Sequence, residues 1–183
     1  MIHEFREEFL NLPLENYILT FDDGLYSQYH FWSEIEKIPT KKIFFISSNI
    51  VCDTEQSLEF PVCRDAHQKA FSGNKEDYMN LQQIKHLLDY DDVEIGGHSH
   101  EHKRLNNFTS LFDKVEHIKQ DTEKMMKWFQ QNLNHTPRSF CFPYNENLDG
   151  MYNALLKKYG FTDFYGKERT AIESILPGCV VPT

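Results

Sequence analysis

The chain has 183 residues, of which 40% are apolar, 26% charged and 14% aromatic, which suits one globular domain with its own core and excludes a disordered tail or a fibre. Nineteen Lys and Arg stand against 28 Asp and Glu, and the formal charge of −9 works against a nucleic-acid partner, whose phosphates require clustered cations. No apolar run approaches the roughly 20 residues that cross a bilayer, and the N-terminal MIHEFREEFLNLPLENY alternates acids with apolar residues. The expectation is a single domain over residues 1–183, with no membrane span and a cytoplasmic address.

Short β-rich runs alternate with longer helical patterns, which predicts βα units and a mainly parallel sheet. YILTF (17–21) reads as the first strand, and residues 25–38 as a helix with Trp32, Ile35 and Ile38 on one face and Pro39 as its stop. KIFFISSNIV (42–51) is a buried strand. Residues 52–75 mix charges, Ser, Pro61 and Gly73 without period, and read as an insertion loop with one short helix around 64–71. Leu81, Ile84, Leu87 and Leu88 define a helix within 78–90, and VEIGG (93–97) a strand ending in a glycine pair. The clearest helix is 109–131, where Leu111, Val115, Ile118, Thr122, Met125 and Phe129 recur at steps of three and four. RSFCFPY (138–144) is a strand and its exit, Met151–Tyr159 a helix closed by Gly160, and FTDFYG and CVVP closing strands. Cys52, Cys63, Cys141 and Cys179 show no CxxC spacing and read as reduced thiols.

Three segments carry candidate chemistry, each at the C-terminal end of a predicted strand, where parallel α/β sheets place their sites. In Thr20-Phe21-Asp22-Asp23-Gly24, two adjacent carboxylates point in different directions, so one can ligate a cation while the other reaches water; a capped strand-to-helix turn is the bland alternative. In His98-Ser99-His100-Glu101-His102, the i, i+4 histidines would share one face of a helical turn and bind one metal, with His100 on the other side. Phe140-Cys141-Phe142-Pro143-Tyr144-Asn145 alone reads as a core strand stopped by proline.

In this order the segments resemble the polysaccharide deacetylases of the NodB-homology type, carbohydrate esterase family 4. TFDDG (20–24) is similar to the family's first motif and His98-Ser99-His100-Glu101-His102 to its H-[ST]-x-x-H motif, with IFFISS and EIGGHSHEH as matching flanks. FCFPYN resembles the "FAYPYG" variant of a subgroup linked to surface-polysaccharide biosynthesis. The resemblance covers about residues 16 to 180 and implies an α/β fold, a distorted, incomplete (β/α) barrel of about seven strands.

It further implies that Asp23, His98 and His102 bind a divalent metal, Zn2+ first, with Co2+, Ni2+, Mn2+ or Fe2+ as alternatives. Asp22 would be the catalytic base, and the Tyr144 backbone N–H would donate to the developing oxyanion. Tyr144, Pro143 and Tyr26 are the expected substrate contacts. The implied reaction removes an N-acyl group, acetyl or formyl, from an amino sugar of a polysaccharide or its precursor, by metal-activated water. Ser99 would orient the loop.

Three departures stand out. Cys141 takes the place of the arginine that pairs with the base in many members, and Asn145 that of a glycine. The histidine of the family's last motif also has no counterpart in SILPGCVVPT, which leaves His100, His30 or a water network to protonate the amine. The missing histidine and Cys141 support an alternative, a metal- and sugar-binding protein that has lost turnover; an unrelated metal-binding α/β domain is a third reading.

Overall fold

The structure, a computed structural model, describes residues 11, 14 and 17–166. Five strands form one sheet: β1 (Leu19–Phe21), β2 (Lys42–Ile46), β3 (Val93–Gly97), β4 (Ser139–Cys141) and β5 (Asp163–Tyr165). All neighbours are parallel and follow chain order, β1-β2-β3-β4-β5. Every crossover therefore steps the same way, and a twisted sheet wound in one direction gives a half-barrel. Among the described residues the count is two short of the roughly seven strands expected. The expected CVVP strand lies outside the described residues, and the tail of KIFFISSNIV leaves the sheet after Ile46.

Helices fill the crossovers. After β1 come α1 (Tyr26–His30) and α2 (Trp32–Ile35), after β2 come α3 (Cys63–Phe71) and α4 (Leu81–Leu87), α5 (Leu111–Leu133) joins β3 to β4, and α6 (Met151–Lys157) joins β4 to β5. The single helix expected over 25–38 is thus two short ones, interrupted at Phe31, whose φ of −93° and ψ of 18° leave the helical range. The helix expected inside the 52–75 insertion is present as α3. Asn80 and Gln83 cap α4 reciprocally, and Ser110 caps α5 by accepting the Asp113 N–H, so both helices begin at side chains that replace missing backbone partners. Among the described residues no helix is long and apolar enough to cross a membrane.

Both faces of the sheet are buried, as in parallel sheets generally. On one side Phe21, Phe44, Ile95 and Phe140 pack with Trp32 and Ile35 of α2, Ile84 of α4, Met125 and Phe129 of α5 and Leu156 of α6. On the other, Ile43, Phe45 and Cys141 pack together with Tyr165. The methionine and aromatic side chains at helical spacing in α5 are core, as their period implies.

Phe45 sits opposite Gly96 in the sheet register. A Cβ on Gly96 would lie 2.7 Å from the Phe45 ring and 2.9 Å from the backbone oxygen of Ser139, and the backbone cannot give way as a side chain could. Gly96→Ala is expected to destabilise the fold by about 1–3 kcal/mol through overpacking, read as a lower denaturant midpoint at unchanged slope.

Candidate active site

The site is built at the C-terminal edge of β1, β3 and β4. Leaving β1, Asp23 and Gly24 both adopt positive φ, 72° and 77°. This sharp turn sends the two carboxylates to different places. The Asp22 carboxylate faces the Cys141 thiol, 3.6 Å away on β4, and its backbone carbonyl accepts from Gln28 Nε2 at 2.7 Å. Asp23 is turned toward the loop that follows β3.

That loop is not the helical turn expected from the i, i+4 spacing. Ser99 and His102 have φ of 66° and 51°, so the backbone doubles back and delivers both rings by an irregular path. Three clamps hold it. His98 N–H donates to the Ile46 carbonyl at 3.0 Å, the Ser99 hydroxyl accepts the His102 N–H at 3.0 Å, and Asp121 from α5 accepts the N–H groups of His100 and Glu101 at 2.7 and 2.8 Å. Ser99 therefore orients the loop.

The result is a buried convergence. Asp23 Oδ1 lies 3.1 Å from His98 Nε2 and 3.0 Å from His102 Nε2, and the two Nε2 atoms are 3.1 Å apart. His98 Nδ1 is 2.8 Å from the Cys141 carbonyl. A carbonyl only accepts, so the neutral ring carries its proton on Nδ1 and turns the Nε2 lone pair to the Asp23 carboxylate. Two acceptors at that distance repel unless a proton or a cation lies between them. A backbone carbonyl that fixes the tautomer is also the usual support of a metal-ligating histidine. Donors around a tetrahedral zinc stand about 3.3 Å apart, given bonds of about 2.0–2.1 Å. The donor set present fits a divalent cation.

Burial pushes His102 down to about 4, with the charge it would share with His98 acting in the same direction and Asp23 opposing it. Neutral histidine is the form that ligates a metal.

The third segment completes the cleft. Pro143–Asn145 form a 3-10 turn in which Tyr144 and Asn145 have φ of 55° and 58°. Among the described residues its hydrogen bonds run from the Asn145 N–H to Phe142 and from the Glu146 N–H to Pro143, at 3.0 and 3.1 Å. The Tyr144 ring tilts against His102 at 4.9 Å and lies under the Arg104 guanidinium, 3.8 Å from its centroid. Asp22, Asp23, His98, His102 and Tyr144 all line one cleft of about 400 Å3.

Other expected residues fall elsewhere. Pro143 is buried and is not among the residues lining this cleft; Tyr26 packs against His30 and Phe60, also away from it. His100 faces Ser48, 2.8 Å from its hydroxyl, and His30 meets Phe31 edge to face, and neither lines the cleft. Arg104 went unforeseen in the cleft, and so did Cys63 and His67 of α3. For the latter pair, the i, i+4 spacing inside the short predicted helix was the available signal.

The profile of a family described as polysaccharide deacetylase matches residues 12–164. Similar solved structures include IcaB from Ammonifex degensii, with 19% identity over 81% of this chain and 58% of that one and a TM-score of 0.61. The BpsB deacetylase domain from Bordetella bronchiseptica gives 16% identity, 84% and 64% coverage and a TM-score of 0.62. A de-N-acetylase from Aggregatibacter actinomycetemcomitans gives 18%, 92% and 72%, and 0.61. The chain thus spans less than two thirds of the first two structures it matches. No curated protein matches it by sequence.

The lowered His102 has a measurable consequence for the metal-free protein. Its folded value, about 4, lies below the ordinary histidine value, so the unfolded chain binds more protons between the two. Stability should rise with pH through this window and fall on acidification from about 6.5 to about 4, by on the order of 3 kcal/mol. Denaturant titrations of chelator-treated protein across that range should show the slope, flattened in His102→Gln.

Proposed function

Because the chain belongs to the polysaccharide deacetylase family, we propose that it is a cation-dependent hydrolase that removes the N-acetyl group from an amino sugar of a surface polysaccharide or its precursor. The observation that carries this reading is the meeting of Asp23, His98 and His102 within 3.1 Å of one another, with His98 locked in the ligating tautomer. A divalent cation held by these three, Zn2+ first, supplies the Lewis acidity that polarises an acyl carbonyl and acidifies water.

The rest of the chemistry belongs to this chain's own side chains and backbone. Asp22 lines the same cleft as the triad, with its carboxylate beside the Cys141 thiol, which suits a base that takes the water proton as oxygen bonds to the acyl carbon. The Tyr144 N–H, in the strained turn after β4, donates to the oxygen that gains charge. The Tyr144 ring and Arg104 form one wall on which a sugar can lie. Acetate leaves and the amine stays on the sugar; an N-formyl group fits the same cleft. We place this activity in the "FAYPYG"-like subgroup and in the cytoplasm.

A second reading, a sugar-binding protein of this fold without turnover, rests on Cys141. A thiol faces Asp22 at 3.6 Å, and a thiol tunes a neighbouring carboxylate differently from a guanidinium.

The test is acetate release from N-acetylglucosamine oligomers and from nucleotide-linked N-acetyl amino sugars, after chelation and after reloading with Zn2+. Asp22→Asn is expected to lower turnover by at least about 100-fold while keeping the cation, and His102→Ala to lose turnover together with the cation of the Asp23, His98 and His102 set. Tight cation and sugar binding with no acetate from any of these substrates would select the second reading.

A further inference from the structure

The donors around Asp23 do not stop at the two histidines of the loop. α3 also presents Cys63 and His67 to this carboxylate, one turn apart on the same helix. Cys63 Sγ lies 3.1 Å from Asp23 Oδ2, and His67 Nε2 lies 3.5 Å from Asp23 Oδ1. Ligand atoms of Asp23, Cys63 and His67 all fall within 4.8 Å of one another, as do those of Asp23, His98 and His102. Asp23 is common to both sets.

His67 repeats the signature that marks His98 as ligating. Its Nδ1 is 2.9 Å from the Cys63 carbonyl, so in the neutral ring the proton sits on Nδ1 and the Nε2 lone pair is aimed at Asp23. His98 and His67, each with a backbone carbonyl fixing its tautomer, thus point at one carboxylate from two elements. Packing alone gives no reason for a helix to bring a thiol and an imidazole to an acidic group already facing two imidazoles. The rings of His67 and His102 lie 4.3 Å apart between centroids, so the two donor sets adjoin.

We propose that Asp23, Cys63 and His67 form a second divalent-cation site, with the Asp23 carboxylate bridging it to the cation of Asp23, His98 and His102. Thiolate, imidazole and carboxylate are a donor set for a borderline cation such as Zn2+, and carboxylate-bridged cations about 3.5–4 Å apart are a known arrangement of hydrolytic sites. Binding displaces the Cys63 proton to solvent, so the added charge is two positive from the cation and one negative from the thiolate. The second cation fastens α3 to the end of β1 and so fixes one wall of the cleft, where Cys63, His67 and Phe71 stand.

The full chain is stripped with chelator and reloaded with Zn2+, then with Co2+, and read by bound equivalents and by absorption. Two equivalents are expected in the native sequence, falling to one in Cys63→Ser, in His67→Ala and in His102→Ala. The Co2+ form should show a thiolate-to-metal charge-transfer band in the near ultraviolet, kept in His102→Ala and lost in Cys63→Ser. The band is read in the unaltered protein, so a variant that fails to fold cannot decide the matter. One equivalent with no thiolate band overturns the second site, as does a single equivalent that Cys63→Ser or His67→Ala abolishes, which would describe one site of more ligands. A second site that survives in His102→Ala while the native protein releases no acetate would sink the proposed function and leave this inference standing.

Discussion

A buried carboxylate must be compensated, and this fold is arranged around the compensation of Asp23. Its side chain sits at the mouth of a half-barrel within about 3 Å of two imidazole nitrogens, one of which is barred from donating to it by the Cys141 carbonyl behind. Strand ends supply the address, since β1 delivers the carboxylate, β3 the first histidine and β4 the carbonyl that sets the tautomer. Each neighbour then has its own anchor. The left-handed turn at Asp23 and Gly24 needs the glycine, the loop from His98 to His102 needs Ser99 and Asp121, and the turn at Tyr144 needs the proline before it. The site is a set of backbone irregularities tied to regular elements, which is where strain is tolerated in functional loops.

Much of this was legible in the sequence because the informative residues are local. TFDDG and HSHEH are short, and a strand end followed by acids or histidines fixes the neighbourhood without knowledge of the rest of the chain. β3 matches its expected range residue for residue, as VEIGG carries both its β-branched start and its glycine end. The long α5 was equally plain from its apolar period.

What escaped has a physical pattern. The path from His98 to His102 was expected as a helical turn, since spacing reports which residues are near and says nothing of two positive φ values between them. Tyr26 and Pro143 were expected at the substrate, but whether an aromatic ring faces a cleft or a neighbouring ring is decided by tertiary packing, here Phe60 and His30 in the case of Tyr26. Cys63 and His67 were hidden for the opposite reason. They lie in a segment without clear period, some 40 residues from Asp23 in the chain, and only folding brings α3 against β1.

The grip of Asp121 on the histidine loop gives the site a shared fate with the core. Asp121 is buried on α5, and the same helix inserts Ile118, Met125 and Phe129 among the sheet side chains. The loop's two N–H bonds therefore persist only while that helix keeps its seat. A loop tethered merely to itself could melt ahead of its domain, as ligand loops often do. This one is bolted to the longest helix, so its donors lose their alignment in the same cooperative step that opens the interior, and the precision of the donor geometry is carried by the apolar packing on the far side of α5.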